Sequence, residues 1–242
     1  MLVVVLVIGV WLGWLVRSAR IQREAVAAIM KAGGNINYDW QWKNHAPVQG
    51  GKPWAAGWLV EMFGVDYFGH VAVVFMPTVS DGALLQLENF GQIQDLMILD
   101  PQIGDASLVH LKRLTTLRCL VLGDAQVTDA GIDRLKSLTN LEVLDLGSTQ
   151  VTDAGLSHLK GLTKLSVLSL MDTQVTDLGL VHLRGLTNLA ELILLHTKVT
   201  DAGLKHLKGL TNLKVLDVSD TQVTEAGVTE LQQALPSLKI TR

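Results

Sequence analysis

The chain has 242 residues, of which 48% are hydrophobic, 5% aromatic and 18% charged, with a net charge of −3. Hydrophobicity this high, with charge below the usual ~25%, excludes long disorder. The acidic balance argues against nucleic acid as a partner, and a lone cysteine, Cys119, excludes a disulfide framework and a cysteine-rich zinc site.

Charge is unevenly placed: residues 1–65 carry net +3 and residues 66–242 carry net −6. Such asymmetry marks a membrane-proximal or interaction-prone end. The first 16 residues, MLVVVLVIGVWLGWLV, hold no charge. As a helix they span ~24 Å, slightly short of a ~30 Å hydrocarbon core. Trp11 and Trp14 followed by Arg17 fit an interfacial belt with a snorkelling cation. Residues 1–17 are therefore expected to form a single-pass anchor. A cleaved signal peptide fits less well, because no small-residue cleavage site follows and no basic segment precedes. With Met1 as the true start, Arg17, Arg20 and Arg23 place the body in the cytoplasm, and basic residues upstream would reverse that side.

Residues 18–65 read as a helical linker and N-terminal cap. Ile21, Ala25, Ala28 and Ile29 make an apolar stripe at helical spacing, and Gly33-Gly34 ends the helix. Asn35 to Trp42 alternates Ile36, Tyr38 and Trp40 with polar residues, which predicts a strand. Residues 43–53 read as a loop. Pro53 then opens a helix carrying Trp54, Trp58, Leu59, Met62 and Phe63, which Gly64 stops.

From residue 66 a 24-residue period dominates. Leu120, Leu144, Leu168, Leu192 and Leu216 share one slot. Gly131, Gly155, Gly179, Gly203 and Gly227 share another, and so do Asp129, Asp153, Asp177 and Asp201, with Glu225 in fifth place. Five regular units cover 114–233. Two degenerate units, 66–89 and 90–113, precede them, with Val74, Val79, Asp81, Leu84 and Leu87, then Leu96, Ile98, Ile103, Asp105, Leu108 and Leu111 in the matching slots. Residues 234–242 read as a closing cap with a last strand.

Within one unit, Val143 to Gly147 predicts a short strand with Leu144 and Leu146 inward. Thr152 is the expected helix N-cap, and Asp153 is expected to face the helix's positive end. Leu156 and Leu159 face the core, and Lys160 sits at the helix C-terminus. One unit cannot bury its own leucines, so neighbours must stack, and seven strands at ~4.8 Å spacing make a sheet roughly 34 Å wide.

Leu141-x-x-Leu144-x-Leu146, followed by Thr149 and Val151, resembles the leucine-rich repeat family over about three-quarters of the chain. The V-T-D-A-G-L variant looks like membrane-anchored bacterial members and, more weakly, like the repeats of F-box adaptors. The resemblance implies an α/β solenoid, a horseshoe with a parallel concave sheet and outer helices, which here follows an N-terminal transmembrane helix. One departure is that Thr149, Thr173, Thr197 and Thr221 stand where the family carries Asn or Cys.

The outward strand positions vary while the framework does not. They are Val121, Asp145, Ser169, Ile193 and Asp217 in one row, and Cys119, Val143, Val167, Glu191 and Val215 in another. Asp124, Ser148, Asp172, His196 and Asp220 lie beyond them, with Met171 and Leu195 between. Aliphatics inside an acidic rim predict a protein-binding or peptide-binding face, which favours a basic partner and repels nucleic acid. Cys119 is expected to be a small apolar surface residue.

No catalytic constellation is present: phosphate loops, H-E-x-x-H and G-x-S-x-G are absent, so no enzyme, cofactor or small-molecule substrate is expected. A residual enzymatic reading would use Asp39, His45 or Glu61. The His110, His158, His182 and His206 row lies beside Lys112, Lys160, Arg184 and Lys208, which disfavours a bound metal. Repeat copying and the helix dipole account for the aspartate row without calcium. The expectation is a non-enzymatic, membrane-held interaction scaffold, with a self-associating envelope protein as the alternative.

Overall fold

The computed structural model describes residues 2–43, 46–53, 55, 57, 60, 65, 70–79 and 81–242. The side chains of residues 2–15, Trp42, Pro47 and Asp81 fall outside that description. So does most of the expected aromatic helix from Pro53 to Gly64.

Helix α1 runs unbroken from Leu2 to Lys31. Its end is set by two glycines. Gly33 takes φ +80° and donates to the Met30 carbonyl, and Gly34 donates to the Ile29 carbonyl, both at 3.0 Å. This is the paired closure that a left-handed residue after a helix permits. A side chain at Gly34 would collide with Ile29 and the Phe75 carbonyl. Ala19, Ala25 and Ile29 are buried, so the C-terminal half of α1 packs on the solenoid's first turn, beside α2 (Asp81–Leu87). Among the described residues no helix is long and apolar enough to cross a membrane. The expected span, 1–17, lies almost entirely among residues whose side chains are not described.

Strand β1 (Asn35–Tyr38) is shorter than the predicted strand, because the chain turns after Tyr38. Tyr38 and Trp40 stack, with ring centroids 4.7 Å apart. The expected loop contains a small antiparallel pair, β2 (Trp42–Lys43) and β3 (Ala46–Pro47).

Among the described residues the main sheet has nine strands in the order β1, then β4 to β11. They are β4 (Val71–Met76), β5 (Asp95–Ile98), β6 (Cys119–Val121), β7 (Val143–Asp145), β8 (Val167–Ser169), β9 (Glu191–Ile193), β10 (Val215–Asp217) and β11 (Lys239–Thr241). β1 joins the first edge antiparallel, and every later pair is parallel. From β5 onward each strand pairs with residues 24 positions ahead, as Leu144 with Leu168. β4 and β5 pair 22 apart, Val74 with Leu96. The first unit is therefore two residues shorter between its strand and its helix.

The leucines of the shared slot, Leu120 to Leu216, are fully buried in one continuous core that runs the length of the array. After each of the strands β6 to β10 the chain turns through a left-handed residue: Asp124, Ser148, Asp172, His196 and Asp220 have φ between 52° and 63°. Asp and His tolerate this region better than most side chains. The threonine that follows closes the turn within its own repeat. Thr149, Thr173 and Thr197 donate to the carbonyls of Leu146, Leu170 and Leu194 at 2.6–2.7 Å.

The expected N-caps form. Thr128, Thr152, Thr176 and Thr200 each accept a hydrogen bond from the amide two residues on. The aspartates occupy the first helical turn as expected, and they have a second role. Each carboxylate reaches forward and accepts from the backbone amide and the hydroxyl of the next repeat's threonine, as Asp129 does from Thr152 at 2.8 and 2.7 Å. The contact joins repeats, whereas a helix-dipole contact would stay within one.

Candidate protein-binding face

Side chains one position either side of the core leucines point to the open face of the sheet, away from the helices. Registers place them in two columns. Asp95, Cys119, Val143, Val167, Glu191, Val215 and Lys239 form one. Met97, Val121, Asp145, Ser169, Ile193, Asp217 and Thr241 form the other.

This face is not uniformly open. Along the first column Val73 is 3% exposed, Asp95 2% and Cys119 6%. From β7 onward Val143, Val167 and Val215 are half-exposed, and Glu191 is exposed. Along this column accessible surface therefore begins at β7, whereas in the second column Met97 and Val121 are already half-exposed. Two expectations change. Cys119 is buried, and burial, reinforced by Asp95 and Asp145, pushes its thiol up to about 12. Ser169 faces the open side but is buried, because its short side chain sits between Asp145 and Ile193.

The remaining candidates fall into three groups. Val121, Val143, Val167, Met171, Ile193, Leu195 and Val215 are half-exposed aliphatics across neighbouring strands. Asp145 and Asp217 are half-buried, and each bonds to its own turn: Asp145 accepts from the Gly147 amide, and Asp217 from the Ser219 amide and hydroxyl. Asp124, Asp172, His196 and Asp220 are exposed at the left-handed turns. His196 Nε2 lies 3.1 Å from an Asp220 carboxylate oxygen. With Glu191, these turn carboxylates make an acidic border beside the aliphatics.

Sequence reasoning missed the bidentate Arg118–Glu142 pair at the start of β6 and β7, with contacts of 3.0 and 2.7 Å. Their separation of 24 residues was the available signal, since both occupy the same slot. The histidine row lies on the helix side, and two of its members contact carboxylates of the preceding repeat. His110 Nδ1 lies 3.1 Å from a Glu88 carboxylate oxygen, and His158 Nδ1 lies 3.3 Å from one of Asp133. Among the described residues no group of ligating side chains could hold a metal ion.

The leucine-rich repeat family profile matches residues 113–135, 137–160 and 209–231, the stretches whose strands and buried leucines build this sheet. The chain carries leucine-rich repeats. Among solved structures, this leucine-rich repeat chain is similar to two proteins of Listeria monocytogenes. Internalin C2 is 29% identical, with 65% of this chain and 66% of that one covered and a TM-score of 0.51. A second internalin is also 29% identical, with 59% and 38% covered and a TM-score of 0.49. The chain thus spans under two thirds of the length of each of these relatives. No curated protein sequence matches it.

Proposed function

We propose that this protein is a non-enzymatic interaction scaffold whose sheet face, from β7 to β10, binds a protein or peptide of basic and apolar character. The observation that carries the reading is the juxtaposition of half-exposed Val143, Val167, Ile193 and Leu195 with exposed Glu191, Asp172 and Asp220 on one parallel sheet. Stacked repeats give such a surface rigidity, because every strand is held by neighbours on both sides. Aliphatics in the middle supply area to bury, and the carboxylate border selects positive charge. In the same reading α1 holds the scaffold at a membrane through residues 1–17, with Arg17 at the interface.

The test is selection from a displayed peptide library against the full chain, followed by titration of the selected peptides. Enrichment of Lys/Arg with Leu/Val, and weaker binding to a D172N/E191Q/D220N variant, are the expected results. Asparagine suits the left-handed turn, so the variant keeps its backbone. Selected peptides that are acidic, or that bind the variant equally well, would overturn the reading.

A further inference from the structure

The two edges of the sheet carry opposite charge. One edge is formed by the seven-residue segments that precede the strands: 88–94, 112–118, 136–142, 160–166, 184–190 and 208–214. It holds nine Lys/Arg against two acids, Glu88 and Glu142. Both acids are matched locally, Glu88 by His110 and Arg113 and Glu142 by Arg118. The opposite edge is formed by the segments that follow the strands: 99–105, 123–129, 147–153, 171–177, 195–201 and 219–225. It holds ten acids against one lysine, Lys198. On the first edge Lys112, Lys136, Lys160, Arg184 and Lys208 recur every 24 residues, and all but the half-exposed Lys208 are exposed.

Helix α1 points its apolar end past this cationic edge. Residues 28–32, at and just past the end of α1, adjoin Thr78–Gln86, and residues 17–21 adjoin Glu88 and Asn89 across a cleft. Thr78 also donates to the Ala32 carbonyl. So α1 runs antiparallel to α2 and leaves the solenoid where the strand-preceding segments lie. Residues 2–16 continue the helix ~22 Å further in that direction.

We propose that the cationic edge of the solenoid docks on an anionic lipid surface, so that the array lies along the bilayer with its acidic turn edge outward and its sheet face open to the side. The proposal rests on the reading of α1 as an anchor. That anchor would deliver the five-cation row to the headgroups, where the surface potential of acidic lipids attracts each basic side chain and salt screens the attraction. The acidic edge is repelled by the same surface, so charge alone fixes which edge faces the lipid.

The experiment uses the full chain inserted in vesicles of phosphatidylcholine, alone or mixed with phosphatidylglycerol. Cys119→Val, a residue already present in the same slot at 143, 167 and 215, removes the native thiol. A spin label is then placed at Gly161→Cys on the cationic edge or Gln222→Cys on the acidic edge, and its relaxation by gadolinium-chelating headgroups is read. With phosphatidylglycerol present, the label at 161 relaxes faster than the label at 222. The contrast is lost in high salt, in pure phosphatidylcholine, and when the five cations of the row become glutamine with the circular dichroism unchanged. Equal relaxation at both sites, or a contrast that survives neutralisation, overturns the proposal. So does retention of the row on an acidic protein with no dependence on lipid charge. Carbonate extraction tests the anchor separately: a chain washed from the vesicles refutes the anchor, whereas a resistant chain without the contrast refutes only the docked edge.

Discussion

The carboxylate of Asp153 accepts two hydrogen bonds from Thr176 in the following repeat, 2.8 Å from its backbone amide and 2.6 Å from its hydroxyl. Thr176 in turn caps its own helix by accepting from the Leu178 amide. The same pairing recurs from Asp105–Thr128 to Asp201–Thr224, so one motif fixes the spacing of consecutive helices along the array. At the last unit Glu225 has the slot, and Arg242 reaches it at 3.1 Å.

The ladder explains the glycine row. A Cβ on Gly179 would overlap Asp153 Oδ1 and press on Leu156 and the Asp153 backbone. Gly179→Ala should therefore destabilise by about 1–3 kcal/mol despite alanine's better helix propensity. Gly185→Ala has nothing within 4 Å of the new atom and should be neutral or slightly stabilising. Urea unfolding of the two variants checks the contrast. Equal effects would detach the glycine from the ladder.

Acid should loosen the C-terminal coupling. Hydrogen bonds from the Thr224 hydroxyl, and then from its amide, hold the Asp201 carboxyl below its ordinary range. A group depressed in the folded state lends stability that is complete above its unfolded value of ~3.9 and lost as pH falls through the folded value. Asp201→Asn should lower the thermal midpoint at neutral pH, and the gap from the parent should close on acidification. A gap that stays constant with pH would contradict this account of Asp201.

Cys119 should be inert while the chain is folded. Its thiol is buried and pushed up to about 12, so thiolate is scarce at pH 8. A disulfide reagent should label it only in denaturant, at the rate of unfolding. Rapid labelling of the native chain would show that the β4–β6 end of the sheet is open.

Much of the fold was legible because the units are nearly identical. Leu144 and its four equivalents announce strand, register and core together, and Thr152 announces the helix start. The second role of Asp153 was missed because its partner, Thr176, lies 23 residues ahead. Within a single unit the only visible neighbour of Asp153 is its own helix end. Cys119 and Ser169 were misplaced for a related reason: alternation gives the face a side chain points to, and neighbouring chain decides whether that face is covered. The two-residue contraction before β5 was hidden because Val74 stands 24 residues before the aliphatic Ile98, although its partner in the sheet is Leu96. The acidic border was legible in composition, although Asp145 and Asp217 turn out to serve their own turns.

Hydroxyl-radical footprinting of the full chain, with and without a selected basic peptide, tests the binding face most directly. Met171 and Leu195 border the sheet face, while Leu178, 73% exposed on the helix side where four other repeats carry alanine, serves as an internal reference. The peptide should protect Met171 and Leu195 and leave Leu178 unchanged. Protection of Leu178 with Met171 still oxidised would place the partner on the helices and contradict the assignment of the sheet as the binding surface.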